Sequence, residues 1–219
     1  MITALWLVSA LSALVYGGLW VLGPVSPLRT VIKMVPVAAL ALIAYLTGPR
    51  HGLALLLPAA LALSAVGDGF LAGDPKRWLP LGLANFLVAH LIYVALFWSA
   101  GAPNALSEPI RGAMIVTAIL GGFGMLTWLW PHLGAMRGAV SAYVAAIVAM
   151  LATGLLLPWA AWPVMVGALA FMASDAILSA DLFVGAKIVG SERLSGYAIW
   201  ALYYGGQAAI ALGLMGLDL

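Results

Sequence analysis

The sequence has no cysteine and very little charge. Without cysteine there are no disulfides, no thiolate nucleophile and no thiolate-bound metal. Charged residues make up 7% of the 219, against about a quarter in a soluble domain. With a mean hydropathy of +1.14, that scarcity describes an integral membrane protein. At about 20 residues per span, the length accommodates roughly eight helices and no extramembrane domain. We therefore expect one all-α transmembrane domain over residues 1–219. A net charge of +2 is too small to suggest nucleic-acid binding. Also missing are a Gly-x-Ser-x-Gly elbow, a His-Glu-x-x-His helix, a P-loop and a dinucleotide fingerprint, which disfavours serine lipase, zinc protease and nucleotide chemistry. Met1-Ile-Thr-Ala-Leu-Trp-Leu7 lacks the basic start of a cleaved signal peptide, so it is read as a retained first helix.

Hydropathy and Pro/Gly/charge punctuation predict spans at about 2–22, 28–47, 51–72, 78–99, 110–130, 136–157, 161–183 and 195–216. Loops after odd-numbered spans carry Arg29, Lys76, Arg77, Arg137, Lys187 and Arg193, and those after even-numbered spans carry Arg50 and Arg111. Excess positive charge marks the cytoplasmic side. The prediction is therefore odd loops inside and both termini outside, in a bacterial inner membrane.

Against this apolar background two carboxylates stand out: Asp68 in the third span and Asp175 in the seventh. A lone ionisable group in a span costs roughly 2.5–3.5 kcal/mol on insertion scales, so each is a functional candidate. They share the pattern D-x-x-L-x-x-D, completed by Asp74 and Asp181, at an offset of 107 residues. That offset equates spans 3 and 7 and is compatible with a weak 4+4 parallel repeat. Asp74 and Asp181 fall at the membrane edge, where solvation is the simpler reading. Lys33 either snorkels, holds an aspartate ionised or binds a lipid phosphate. His90, with Tyr93 and Asn85, lies toward the middle of span 4, and Tyr143 lies on span 6. Tyr203, Tyr204 and Gln207 lie on span 8, and like Tyr143 they suit either a site or interhelical hydrogen bonding. Ser64 and Ser174 are expected to bond back to their own helices. In the predicted topology Lys33, Asp68, Tyr143 and Asp175 share the cytoplasmic half, with His90, Tyr204 and Gln207 near the midplane. A common cavity with Asp68 in reach of Asp175 follows as an expectation.

Two carboxylates without a thiol or serine elbow suit acid–base hydrolysis, one carrying the proton and the other ionised. Ala65-Val-Gly-Asp68 departs from the Gly-x-Gly-Asp of intramembrane aspartyl proteases at its first residue, and no Tyr-Asp partner exists. The same groups also suit a proton-coupled lipid or small-solute transporter, or a lipid-sensing bundle.

Lys33-Met-Val-Pro36, Ser64-x-x-Gly-Asp68, Phe86-x-x-x-His90-x-x-Tyr93, Ser174-Asp175 and Tyr203-Tyr204-x-x-Gln207 occur in that order over nearly the whole chain. Together they resemble the YhhN family of eight-span membrane proteins, the lysoplasmalogenases. The resemblance implies hydrolysis of the vinyl ether bond of a lysophospholipid taken from the bilayer. The products would be a fatty aldehyde and glycerophosphocholine or glycerophosphoethanolamine, with no cofactor. It implies catalytic roles for Asp68 and Asp175; of the two, Asp175 lies deeper in its span and is the expected acid. Lys33 is then expected at the substrate phosphate, with His90, Tyr93, Tyr143, Ser174, Tyr204 and Gln207 in support. Spans 1 and 5 carry no motif.

Overall fold

A computed structural model describes residues 1–49, 51–102 and 104–216, the side chains of 75 and 76 excepted. Arg50 and the side chain of Lys76, counted above among the loop charges, lie outside that description. The described residues form helices and connections only. In chain order they are α1 (Ile2–Val15), α2 (Pro27–Thr47), α3 (Leu56–Leu71), α4 (Pro75–Ser99), α5 (Pro109–Leu129), α6 (Arg137–Gly154), α7 (Trp162–Ser179) and α8 (Glu192–Met215). With their flanking turns, all eight are long and apolar enough to cross a membrane. The protein is an integral, multi-pass membrane protein.

The spans agree with the predicted ones to within a few residues, and the differences have local causes. α1 and α7 each end in a wider, π-wound turn, Tyr16–Trp20 and Ala180–Val184. The first contains Gly17-Gly18, and the second stops at Gly185, whose φ of 73° is open to glycine without strain. α2 starts where Ser26 accepts a hydrogen bond from the Arg29 N–H at 3.2 Å and Pro27 occupies the first helical position.

The chain packs as two compact units. The first comprises Met1–Leu96 with Leu214–Leu219, and the second Phe97–Gly213. In the first unit α2 is central, packed on α1 and on α3. Ser9 of α1, fully buried, donates its hydroxyl to the Pro36 carbonyl of α2 at 2.8 Å. Pro36 has no N–H of its own, so one rung of the α2 ladder is missing at the turn after Lys33. α2 and α3 run antiparallel with Arg29 opposite Ala72 and Lys33 opposite Asp68.

In the second unit α6 packs against both α5 and α7. α7 and α8 approach to backbone contact. A Cβ on Gly167 would lie 2.6 Å from the Gly206 carbonyl oxygen, and one on Gly206 would lie 2.8 Å from that of Gly167. Glycine here is required by space. The seam continues to Gly213, where a Cβ would meet Val164 at 2.6 Å. Small residues at helix contacts are what membrane packing favours, since lipid offers no hydrophobic penalty to drive association.

Arg111 was assigned above to a loop, as a charge reporting topology. Instead it is 1% exposed and ties the second unit together. Its Nη1 donates to the carbonyls of Leu155 and Leu157, and its Nε bonds the Glu108 carboxylate at 3.0 Å. Trp159 stacks 4.1 Å from the guanidinium and donates its indole N–H to the same carboxylate. The carbonyls that α6 leaves unsatisfied at its end thus receive donors. The Arg111 hydrogen bond holds the Glu108 carboxyl below the usual glutamate range.

α1 and α5 carry the least buried spans, 17% each. They turn Leu7, Leu11 and Leu14, and Ile119, Leu120 and Phe123, outward. Lipid-facing helices need only be apolar, which is why neither carries a motif.

Candidate active site

In the first unit Asp68 sits near the end of α3, 1% exposed. Two glycines flank it, and each admits a neighbouring helix. A Cβ on Gly67 would lie 2.7 Å from the Phe86 ring of α4, and one on Gly69 would lie 2.8 Å from the Met34 sulfur of α2. The Gly-Asp-Gly run therefore admits side chains of both α2 and α4 beside the carboxylate. Lys33, next to Met34, closes the ion pair: its Nζ is 3.4 Å from Asp68 Oδ1, with the two side chains 14% and 2% exposed. A buried carboxylate without a cation would carry the full cost of desolvation, and the adjacent ammonium offsets it. Gly82 of α4 meets Leu71 in the same way, at 2.6 Å. Phe86, His90 and Tyr93 follow one another at i, i+4 and i+7 on one buried stripe of α4, with both His90 and Tyr93 0% exposed. Asn85 lies off this stripe and bonds the Leu81 carbonyl of its own helix at 2.8 Å.

In the second unit Asp175 is partly exposed. Tyr143 of α6 donates its hydroxyl to Asp175 Oδ2 at 2.5 Å. Ser64 behaves as expected and bonds the Ala60 carbonyl of its own helix at 2.9 Å. Ser174 does not. It donates across to the Ile199 carbonyl of α8 at 2.9 Å, because it faces the close α7–α8 seam instead of lipid. That bond fixes the level of Asp175 against the aromatic part of α8. There Trp200 stacks on Tyr204 at 6.0 Å between centroids, and Tyr203 meets Phe171 edge-on at 5.2 Å. Gln207, one turn further on, is fully buried.

Asp181 was read as solvated. It is instead partnered by Lys187 across the turn at Gly185, with side chains 27% and 33% exposed. The sequence signal was available: an aspartate and a lysine six apart, bracketing the glycine that ends α7. Ser9 and Arg111 were missed as organising residues. A Glu-Pro-x-Arg start to α5 was the only hint of the second. Among the described residues, no three His, Asp or Glu side chains cluster as a metal site would require.

The eight apolar helices of the described residues, with one engaged carboxylate on the third helix of each unit, define a polytopic membrane protein that retains costly polar groups within its spans. The chain belongs to the YhhN family, whose model matches residues 28–214. It is similar to Lysoplasmalogenase of Mycobacterium bovis, 37% identical over 163 residues, which are 70% of this chain and 58% of that protein. The chain thus spans little more than half the length of that relative. It is also similar to human Lysoplasmalogenase TMEM86B, 34% identical over 208 residues, covering 94% of this chain and 84% of the relative. For Lysoplasmalogenase TMEM86A of Bos taurus the identity is 34% over 217 residues, covering 90% and 83%. No solved structure matches.

Proposed function

We propose that this protein is a lysoplasmalogenase-type hydrolase acting on the vinyl ether bond of a lysophospholipid dissolved in the bilayer. The observation that carries the reading is the unlike pairing of its two carboxylates: Asp68 with an ammonium and Asp175 with a phenol. Vinyl ether hydrolysis needs two such different groups. A proton goes to the β-carbon and leaves an oxocarbenium ion. Water adds to its carbon and loses a proton, and the hemiacetal collapses to aldehyde and glycerophospho-alcohol. Asp175, which accepts the Tyr143 hydroxyl at Oδ2, is the acid that delivers the proton. Asp68, whose charge is matched by Lys33, stays ionised and accepts the proton of the attacking water. His90 and Tyr93 shape the polar stripe of α4, and Tyr143, Ser174, Tyr204 and Gln207 that of α6 to α8.

The decisive measurement is aldehyde release from lysoplasmalogen by the purified protein. Asp68→Asn and Asp175→Asn should each lower it by about 10²–10⁴-fold, the range of a lost general acid or base. Full activity in both variants would sink the two-carboxylate mechanism. Proton-coupled flux of a solute or lipid in liposomes, with no aldehyde formed, would replace it with a transporter.

We also propose that the odd-numbered connections face the cytoplasm, which places the ion pair of Asp68 toward the inner leaflet. The absence of cysteine makes single-cysteine labelling direct. A cysteine at Ser26 labelled only from outside intact cells would overturn this orientation.

A further inference from the structure

Lys33 commits its charge to Asp68, so a cation for an anionic headgroup has to be sought elsewhere in the first unit. Arg29 lies one turn earlier on the same face of α2. Its Nε donates to the Trp20 carbonyl at 3.2 Å and its Nη1 to the Ala72 carbonyl at 3.1 Å. These contacts orient the guanidinium plane without cancelling its charge, because main-chain carbonyls are neutral. Among the described residues Arg29 forms no ion pair with a carboxylate. A guanidinium has five N–H donors, so the Nη2 pair and the second Nη1 hydrogen remain for an acceptor. The side chain is partly exposed, within reach of a ligand. The N-terminal turn of α2, behind its Ser26 cap, adds positive potential at the same place.

The helix register sets the distance to the chemistry. Arg29–Ala72 and Lys33–Asp68 are successive rungs of one antiparallel helix pair, four residues apart on each strand of it. Four residues rise about 6 Å along a helix. In a lysoplasmalogen the vinyl ether oxygen and the phosphorus are joined through the glycerol carbons by five single bonds, about 6 Å when extended at bond lengths near 1.5 Å. We infer that Arg29 is the phosphate-binding residue: a lysophospholipid whose phosphodiester seats on this guanidinium carries its vinyl ether at the level of Asp68. The inference rests on the hydrolase reading for its substrate. It moves phosphate recognition from Lys33, where the sequence suggested it, to the next rung outward.

The competing role for Arg29 is mechanical, a clasp joining the end of the first helix to the end of α3. A substrate without phosphate separates the two. For the full-length protein in nanodiscs, Arg29→Gln should raise the KM for an alkenyl lysophospholipid at least about tenfold with kcat held within about twofold, as expected for loss of a charge-assisted bond made equally in ground and transition states. The constants for 1-alkenylglycerol, the same vinyl ether without phosphate, should not move. Arg29→Lys, which keeps the charge and loses the fork, should fall between. An unchanged KM, or equal losses on both substrates, overturns the assignment.

Equilibrium binding gives a readout that does not need turnover. A saturated alkyl-ether lysophospholipid, which cannot be hydrolysed by this route, should bind the wild type at least about tenfold more tightly than Arg29→Gln, while neutral alkylglycerol binds both alike. If the wild type shows this preference yet releases no aldehyde, the hydrolase reading fails and the anion site stands. If it shows no preference for the phosphorylated lipid, the site fails. Displacement by inorganic phosphate or by diacyl phospholipid vesicles as readily as by the lysophospholipid would make this a general anion contact and overturn the substrate assignment.

Discussion

Asp68 and Asp175 occupy equivalent places in the two units, each on the third helix and each bonded from the second, yet their partners differ in kind. Lys33 reaches Asp68 at 3.4 Å and Tyr143 reaches Asp175 at 2.5 Å. At the 107-residue offset that superposes the aspartates, Lys33 falls on Val140, and Tyr143 falls on Pro36. The partners therefore come from different turns of corresponding helices. Similar frames have been fitted with a cation in one case and a neutral donor in the other. Burial follows the same division. The carboxylate with the cation is almost wholly enclosed, and the one with the phenol remains partly exposed.

The comparison breaks first at the partners. Lys33→Met should be the more severe change, because it removes the ammonium from beside a buried carboxylate, at about 3–5 kcal/mol. We expect a large loss of thermal stability as well as of aldehyde release. Adding Asp68→Asn to Lys33→Met should recover much of the stability and none of the activity. If Lys33→Met is as stable as wild type, the ion pair does not have the role given to it. Tyr143→Phe removes one hydrogen bond from a partly exposed carboxylate. It should leave the melting temperature nearly unchanged, at a cost of about 1–3 kcal/mol to the reaction at most. A stability loss equal to that of Lys33→Met would erase the distinction between the two carboxylates.

The smallest effects come from the glycines beside Asp68. Gly67→Ala drives a methyl into the Phe86 ring, and Gly69→Ala drives one into the flexible Met34 thioether. Overpacking of this kind costs about 1–3 kcal/mol, with the rigid ring at the upper end. Gly69→Ala should be rescued by Met34→Ala, which makes room without touching Lys33. Thermal melts of the single and double variants in detergent decide it. Failure of the rescue would show that Gly69 does more than admit α2.

Much of this was legible in the residues. Eight spans are written in hydropathy and punctuation, and both aspartates declare themselves by cost alone. What stayed hidden depends on which face a residue turns to its neighbour. Ser174 reads as a self-bonded helical serine until the α7–α8 contact presents it with the Ile199 carbonyl. Arg111 reads as a surface charge until the end of α6 folds back and offers its carbonyls. The pairing of Lys33 with Asp68 was one of three readings of that lysine. Only the antiparallel register of α2 on α3 selects it. Asp181 was placed in water because position along the span says nothing about a lysine beyond the turn.

The glycine seam between α7 and α8 has a consequence for what can pass between those two helices. Contact runs from Val164–Gly213 through Gly167–Gly206 and Phe171–Tyr203 to the Ser174–Ile199 bond. Where two backbones touch there is no width for a hydrocarbon tail to slip between them. The seam is a closed wall, and under the proposed hydrolase reading an alkenyl chain bound for the level of Asp175 would have to enter by another side.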